Sequence, residues 1–243
     1  MKIVDSHSHL FEIKNYEIPS YLLPVIVGYS HSSNKKAVKI ATENDYPFVL
    51  GIAPQTAIRG NISELDDWVA FIEESKPNAI GEIGLDYKWA QTMKDVEIER
   101  VVFKKLIDLA KKMKLPLVIH SRNNPNKNDV PKDAIQEIIK KLGDLKFVMH
   151  FYSGNDTQAK EIIELGGYIS VTHLHSKERR KVINTVPIDR LLVESDSPYV
   201  GRTPETIKEA IAYIAEIKEL DYNEVAVKTA ENAARFFNFR LNL

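Results

Sequence analysis

Side chains that can hold a metal ion or move a proton recur in one kind of place along this chain. Asp5, His7 and His9 occupy alternate residues of "KIVDSHSHL", and Glu82 lies within "AIGEIGLD". His120 ends "LPLVIH", His150 follows "LKFVM", and Asp196 closes "LLVESD". Side chains of an extended strand alternate between its faces, so Asp5, His7 and His9 are expected to point the same way, with Asp5 one step deeper as a support for the ligands rather than a ligand. Neutral imidazole and carboxylate are good ligands for divalent transition metals. The chain contains no cysteine, which excludes disulfides and thiolate ligands.

Each residue also has a bland reading. A lone histidine at a strand end is more often a hydrogen-bonded core residue than a ligand. Two imidazoles on one buried face need partners, and a metal supplies one. Glu82 stands between Gly81 and Ile83 in otherwise interior text, where a solvated carboxylate would be out of place. Asp196 precedes Ser197 and Pro198, so taken alone it reads equally well as a helix cap. His31, His173 and His175 sit in polar, loop-like text and keep the bland reading.

The elements that must position these residues follow from hydrophobic patterning. Short apolar runs read "KIVDSH", "VIVGYS", "FVLGIA", "AIGEIGLD", "LPLVIHS", "LKFVMHF", "YISVT" and "LLVESDS". Runs of this kind, bounded by turn residues, fit buried parallel strands. Amphipathic helical patterns separate them. In "VEIERVVFKKLIDLAKKM", Val102, Leu106, Leu109 and Ala110 share one stripe. Thr203 and Pro204 read as N-cap and first residue of a helix over "ETIKEAIAYIAEIKE", and "EVAVKTAENAARFF" gives a last helix. Eight strand–helix alternations predict an α/β (β/α)8 TIM barrel, with residues 1–243 as a single domain. A doubly wound open sheet is the alternative, but no G-x-G-x-x-G turn follows the first strand. "NNPNKND", residues 123–129, reads as an exposed loop.

In such a barrel the C-terminal strand ends meet at one mouth. His7, His9, Glu82, His120, His150 and Asp196 would therefore share a pocket. Six ligands exceed the three that an open catalytic zinc usually takes. They suit two divalent ions, of zinc, manganese or magnesium, sharing a bridging carboxylate. Such a pair activates water for hydrolysis of phosphate esters, and also of amides and lactones.

Composition constrains the partners. Lysine plus arginine, 33, nearly balances aspartate plus glutamate, 34, for a net charge of −1, so no global basic field marks a nucleic-acid partner. No apolar run approaches the roughly 18 residues of a membrane span, and no signal-peptide core opens the chain. A cytoplasmic protein without a membrane role is expected, and nothing marks an obligate protein partner.

The ordered motifs "DSHSHL", "GEIGLDY", "LPLVIHSR", "MHFYSG" and "LLVESDSPY" resemble the TatD-type metal-dependent deoxyribonucleases, amidohydrolase-like TIM barrels, over nearly the whole chain. The resemblance implies His7, His9 and Asp196 on one metal, His120 and His150 on the second, and Glu82 between them. It implies Glu82 and Asp196 as catalytic groups, Asp196 orienting or deprotonating the attacking water. It implies DNA as substrate. Arg122, beside His120, has the shape for a phosphate contact, or for a surface ion pair. Three departures touch the rim. The family's G-x-H-P reads "GIAP", with Ala53 at the histidine position; Ser8 and Phe11 stand where Cys and Asp are usual; and the loop after Asp196, "SPYVGRTPET", is short. The same metal site could instead serve a small ester, lactone, amide or phosphoester. A non-catalytic metal-binding barrel is a third reading, which the complete ligand set disfavours.

Overall fold

The computed structural model of the protein describes residues 2–126 and 129–241, so residues 127 and 128 of the loop at 123–129 lie outside the described residues. Eight parallel strands follow one another around a sheet in sequence order. They are β1 (Ile3–Ser8), β2 (Leu22–Val27), β3 (Phe48–Leu50), β4 (Ala79–Asp86), β5 (Leu117–Arg122), β6 (Phe147–Met149), β7 (Tyr168–Val171) and β8 (Leu191–Val193). Between and after them run α1 (His31–Asn44), α2 (Pro54–Arg59), α3 (Leu65–Ser75), α4 (Met93–Met113), α5 (Ala134–Leu142), α6 (Asp156–Glu164), α7 (Lys177–Thr185), α8 (Ile207–Lys218) and α9 (Tyr222–Phe237). This is the (β/α)8 barrel that the alternation predicts.

The seam closes just beyond β8. Ser8 bridges Ser197, His9 N donates to Ser197 O at 2.9 Å, and Asp196 N donates to His7 O at 3.0 Å. The backbone that shuts the barrel thus carries three of the expected site residues.

Two apolar layers hold the fold. Strand residues such as Ile80, Leu117 and Phe147 pack outward against the helices, including the α4 stripe of Val102, Phe103, Leu106 and Leu109. Inside, every strand contributes to one cluster: Val4, Val25, Val49, Ala79, Val118, Val148, Tyr168 and Leu192. Phe236 and Phe237 of α9 belong to that inner cluster, so the last helix plugs the barrel's N-terminal end. Asn78 and Lys146 fasten the plug by donating to the carbonyls of Phe237 and Arg235. Burying one such ring stabilises the fold by roughly 2 kcal/mol.

Several local expectations change. Thr203 has extended backbone but makes no side-chain cap, and Pro204–Thr206 form a 3-10 turn before α8 begins at Ile207. Regular alternation fails in two strands. Register shifts between Asp5 and Ser8 in β1, and between Gly81 and Ile83 in β4. Each adds a residue to one strand, which re-aims the side chains beside it. Gly84 shows how tightly β4 and β5 approach: its φ is +150°, and a Cβ there would stand 1.9 Å from His120 O.

Candidate metal centre

The two register shifts fall where the chemistry is. Asp5 is not among the side chains close enough to share an ion, and its contacts give it the supporting role expected of it. Its carboxylate accepts from Ser195 N at 2.8 Å, Ser195 Oγ at 2.5 Å and His7 N at 3.2 Å. Asp5 thereby ties β1 to the segment carrying Asp196, and burial pushes its pKa up to about 8. Glu82 is the extra residue in β4 and reaches the mouth as expected. Its Oε2 lies 3.8 Å from His7 Nε2 and 4.0 Å from His9 Nε2. Its Oε1 lies 2.7 Å from His120 Nδ1 and 3.3 Å from His150 Nε2. Asp196 sits three residues beyond β8 rather than at its end, with φ +46°, and its Oδ1 is 3.4 Å from His9 Nε2. Aspartate tolerates that left-handed backbone better than most residues.

The structure therefore brings all six expected residues together. Sets of side chains close enough to share one ion include His7, His9 and Glu82, and also Glu82, His120 and His150. A third set is His7, His150 and Asp196.

Ring orientation tests whether the site fits a metal. The Nδ1 atom of His9 bonds Val27 O at 2.7 Å, which leaves Nε2 facing Glu82 and Asp196. Asp86 Oδ2 takes the Nε2 of His120 at 2.9 Å, which leaves Nδ1 for Glu82. The Nδ1 of His150 lies 3.4 Å from Glu194 Oε1, with Nε2 toward Glu82. The rings of His9 and His120 are thus hydrogen-bonded from outside, and His150 faces Glu194 without a hydrogen bond at Nδ1; each aims its second nitrogen inward, the arrangement that orients metal-binding histidines. His7 is fully buried and neither ring nitrogen has a hydrogen bond. An orphaned buried nitrogen is costly, and an ion would satisfy it. The donor set fits divalent metal.

Charge follows from the same contacts. Burial alone would raise Asp196, but His9, His150 and His7 hold it at about 2. Glu82 is likewise held well below the usual carboxylate range, against the cost of its burial, by His150 and His120. His7 is pushed down by burial and by the His150 ring stacked on it, centroids 4.0 Å apart. His120 rises to about 9 despite burial, through Asp86 and Glu82. The mouth is a set of ionised carboxylates interleaved with histidines, of which His120 carries a proton at neutral pH that a bound ion would displace.

A cavity of about 1150 Å³ opens above it, bordered by Ala53, Gln55, Arg59, Trp89, Arg122 and Tyr199 among others. Arg122 makes an ion pair, but with a buried partner rather than at the surface. Its Nη1 is 3.6 Å from the buried Asp86 Oδ2, yet its side chain is 40% exposed and lines the cavity. His31, His173 and His175 stand apart. His31 packs on Trp68 and Phe71, His175 stacks on Tyr213, and His173 borders a separate cavity of about 530 Å³.

Sequence reasoning missed the outer supports. Asp86 accepts from Gln55 Nε2 at 2.6 Å as well as contacting His120. Glu194 accepts from Phe151 N behind His150. Glu99 of α4 accepts from Asp86 N at 3.1 Å, and its burial pushes it up to about 8. Asp86 did carry a signal, an acid at a strand end like the others.

A parallel barrel with a buried imidazole–carboxylate cluster at its C-terminal mouth has the donors of a metal-dependent enzyme, and the family to which the chain belongs makes it a hydrolase. The chain belongs to the TatD related DNase family, whose model matches residues 4–238. It is 34% identical over 232 residues to the uncharacterized metal-dependent hydrolase YabD of Bacillus subtilis, covering 88% of this chain and 86% of that one. It is 26% identical over 267 residues to human deoxyribonuclease TATDN3, covering 97% and 94%. Among solved structures, the TatD homolog YJJV of Escherichia coli superposes with a TM-score of 0.80 at 21% identity, covering 98% of both chains. A TatD family hydrolase from Entamoeba histolytica gives 0.78 at 21%, covering 97% of both. These two likenesses concern the fold.

Proposed function

We propose that this chain hydrolyses phosphodiester bonds of DNA with two divalent metal ions held at the barrel mouth. The observation that carries the reading is the position of Glu82. One of its oxygens faces His7 and His9, and the other faces His120 and His150. That placement supports one ion on each histidine pair, Glu82 shared between them, and Asp196 completing the His7–His9 side. Divalent ions held there would supply Lewis acidity toward water and phosphate oxygens. Asp196, with Oδ1 3.4 Å from His9, would orient the attacking water and take its proton at a carboxylate oxygen. His120 is steadied by Asp86, and His150 by Glu194, so the ligand rings keep their aim during turnover. Arg122 offers guanidinium N–H groups to a non-bridging phosphate oxygen at the open side of its contact with Asp86.

The test is cleavage of end-labelled single-stranded DNA by protein supplied with Mg²⁺, Mn²⁺ or Zn²⁺, with Glu82→Ala and Asp196→Asn alongside. Metal-dependent cleavage, lost in both variants and falling as salt rises, is the expected result. A protein that binds two ions yet leaves DNA intact while cleaving small esters or lactones would overturn the substrate, not the centre.

A further inference from the structure

We propose that Trp89, braced by Arg59, is a stacking platform that binds a nucleobase of the substrate. The inference rests on the phosphodiesterase reading and adds to it a residue that recognises the base. Trp89 follows β4 and borders the same cavity as Glu82, His120 and Asp196. It is 36% exposed, whereas the chain's other tryptophan, Trp68, is 8% exposed. The Arg59 guanidinium lies 4.4 Å from the centroid of the Trp89 ring, covering one face with a cation that also borders the cavity. An indole backed by a guanidinium offers a rigid π-surface next to a positive charge, the pairing that suits a base and its phosphate.

The platform is tied to the metal cluster through one side chain. Asp86 Oδ1 accepts from Trp89 N at 2.9 Å, while Asp86 Oδ2 contacts His120 Nε2 at 2.9 Å. The turn is fixed further by Trp89 N to Asp86 O at 3.0 Å and by Gln91 Nε2 to Trp89 O at 2.6 Å. The spacing between the stacking surface and the site of bond cleavage is therefore set by Asp86. A base with one face free of its neighbours can use this surface.

The experiment compares wild type, Trp89→Ala and Trp89→Phe as metal-loaded enzymes. Tryptophan emission is titrated with thymidine 5′-monophosphate and, as base-free control, with deoxyribose 5-phosphate. Quenching of wild type by the nucleotide alone, absent in Trp89→Phe, is expected. In parallel, kcat/KM is measured on a single-stranded oligonucleotide and on methyl p-nitrophenyl phosphate, which carries no base. In Trp89→Ala the ratio of the two should fall roughly tenfold or more, as loss of one stacked base predicts, and Trp89→Phe should restore most of it. An unchanged ratio, or quenching that persists in Trp89→Phe, would overturn the platform. If wild type cleaves neither diester, the phosphodiesterase reading fails, and base-dependent quenching alone decides for or against the platform.

Discussion

The two ends of this barrel are made from the same eight strands and have opposite contents. At the N-terminal end each strand turns an apolar side chain inward, and Phe236 and Phe237 of α9 close the stack. At the C-terminal end the same strands, or the residues just beyond them, present His7, His9, Glu82, His120, His150 and Asp196. In β1 the change from one to the other takes three residues, from Val4 to His7. Inside the barrel the apolar packing thus lies at one end, which leaves the other free to carry buried polar groups whose burial is costly without a ligand.

The sharpest way to break this division is at Glu82, the residue both histidine pairs face. Glu82→Ala should lower activity roughly 10³-fold or more, on the scale seen when a central catalytic group is removed. Metal analysis should show fewer than two ions bound, while circular dichroism stays native because the inner apolar cluster is untouched. Unfolding of the Glu82→Ala protein would show that the mouth holds the barrel together as well.

The reciprocal variant is Phe236→Ala. Removing a ring that is 1% exposed from the plug should cost roughly 3–5 kcal/mol, read as a lower denaturant midpoint. Activity per folded molecule should remain, since α9 sits at the opposite end from Glu82. A drop in kcat under fully folded conditions would mean that the plug sets the geometry of the mouth.

Asp86→Asn probes the support of the centre rather than the centre itself. It should weaken metal affinity or activity roughly 10- to 100-fold, the usual effect of losing a carboxylate that orients a metal-binding histidine. Metal titration with activity as the readout separates it from Glu82→Ala, because saturating metal should recover much of the rate. No change in affinity would indicate that Glu82 alone orients His120.

The unequal legibility of the two ends has physical causes. Apolar runs separated by amphipathic helices are repeated signals, so patterning alone is enough to specify the barrel. The six clustered residues are legible because each lies at or near the end of such a run. Register shifts leave no mark in composition, so the supporting role of Asp5 is legible while its partner, Ser195, is not. Gln55 carries no charge and lies in the short α2, with nothing in its neighbours to point at His120. Glu194 and Glu99 act only through partners distant in sequence. Thr203 has the residue type of a cap, but the 3-10 turn that follows it leaves the side chain without its usual acceptor role.

The smallest predicted effect concerns a brace just outside the mouth. Tyr87, the residue after β4, donates its hydroxyl to Glu137 of α5, and Arg100 of α4 grips the same carboxylate with two bonds of 2.7 Å. Burial would raise Glu137, but Arg100 and Tyr87 hold it at about 2, below its ordinary 4.5. A carboxyl depressed on folding contributes stability that is fully present above its unfolded pKa and is lost as pH falls through the folded one. Because the pair is partly open to solvent, the contribution is about 1 kcal/mol at most. Glu137→Gln should therefore be slightly less stable than wild type at pH 7, and the gap should close between about pH 5 and pH 2. Denaturant unfolding at several pH values measures it. A gap that persists unchanged at the acid end would mean that Glu137 braces the rim by shape and hydrogen bonding alone, with its charge contributing nothing.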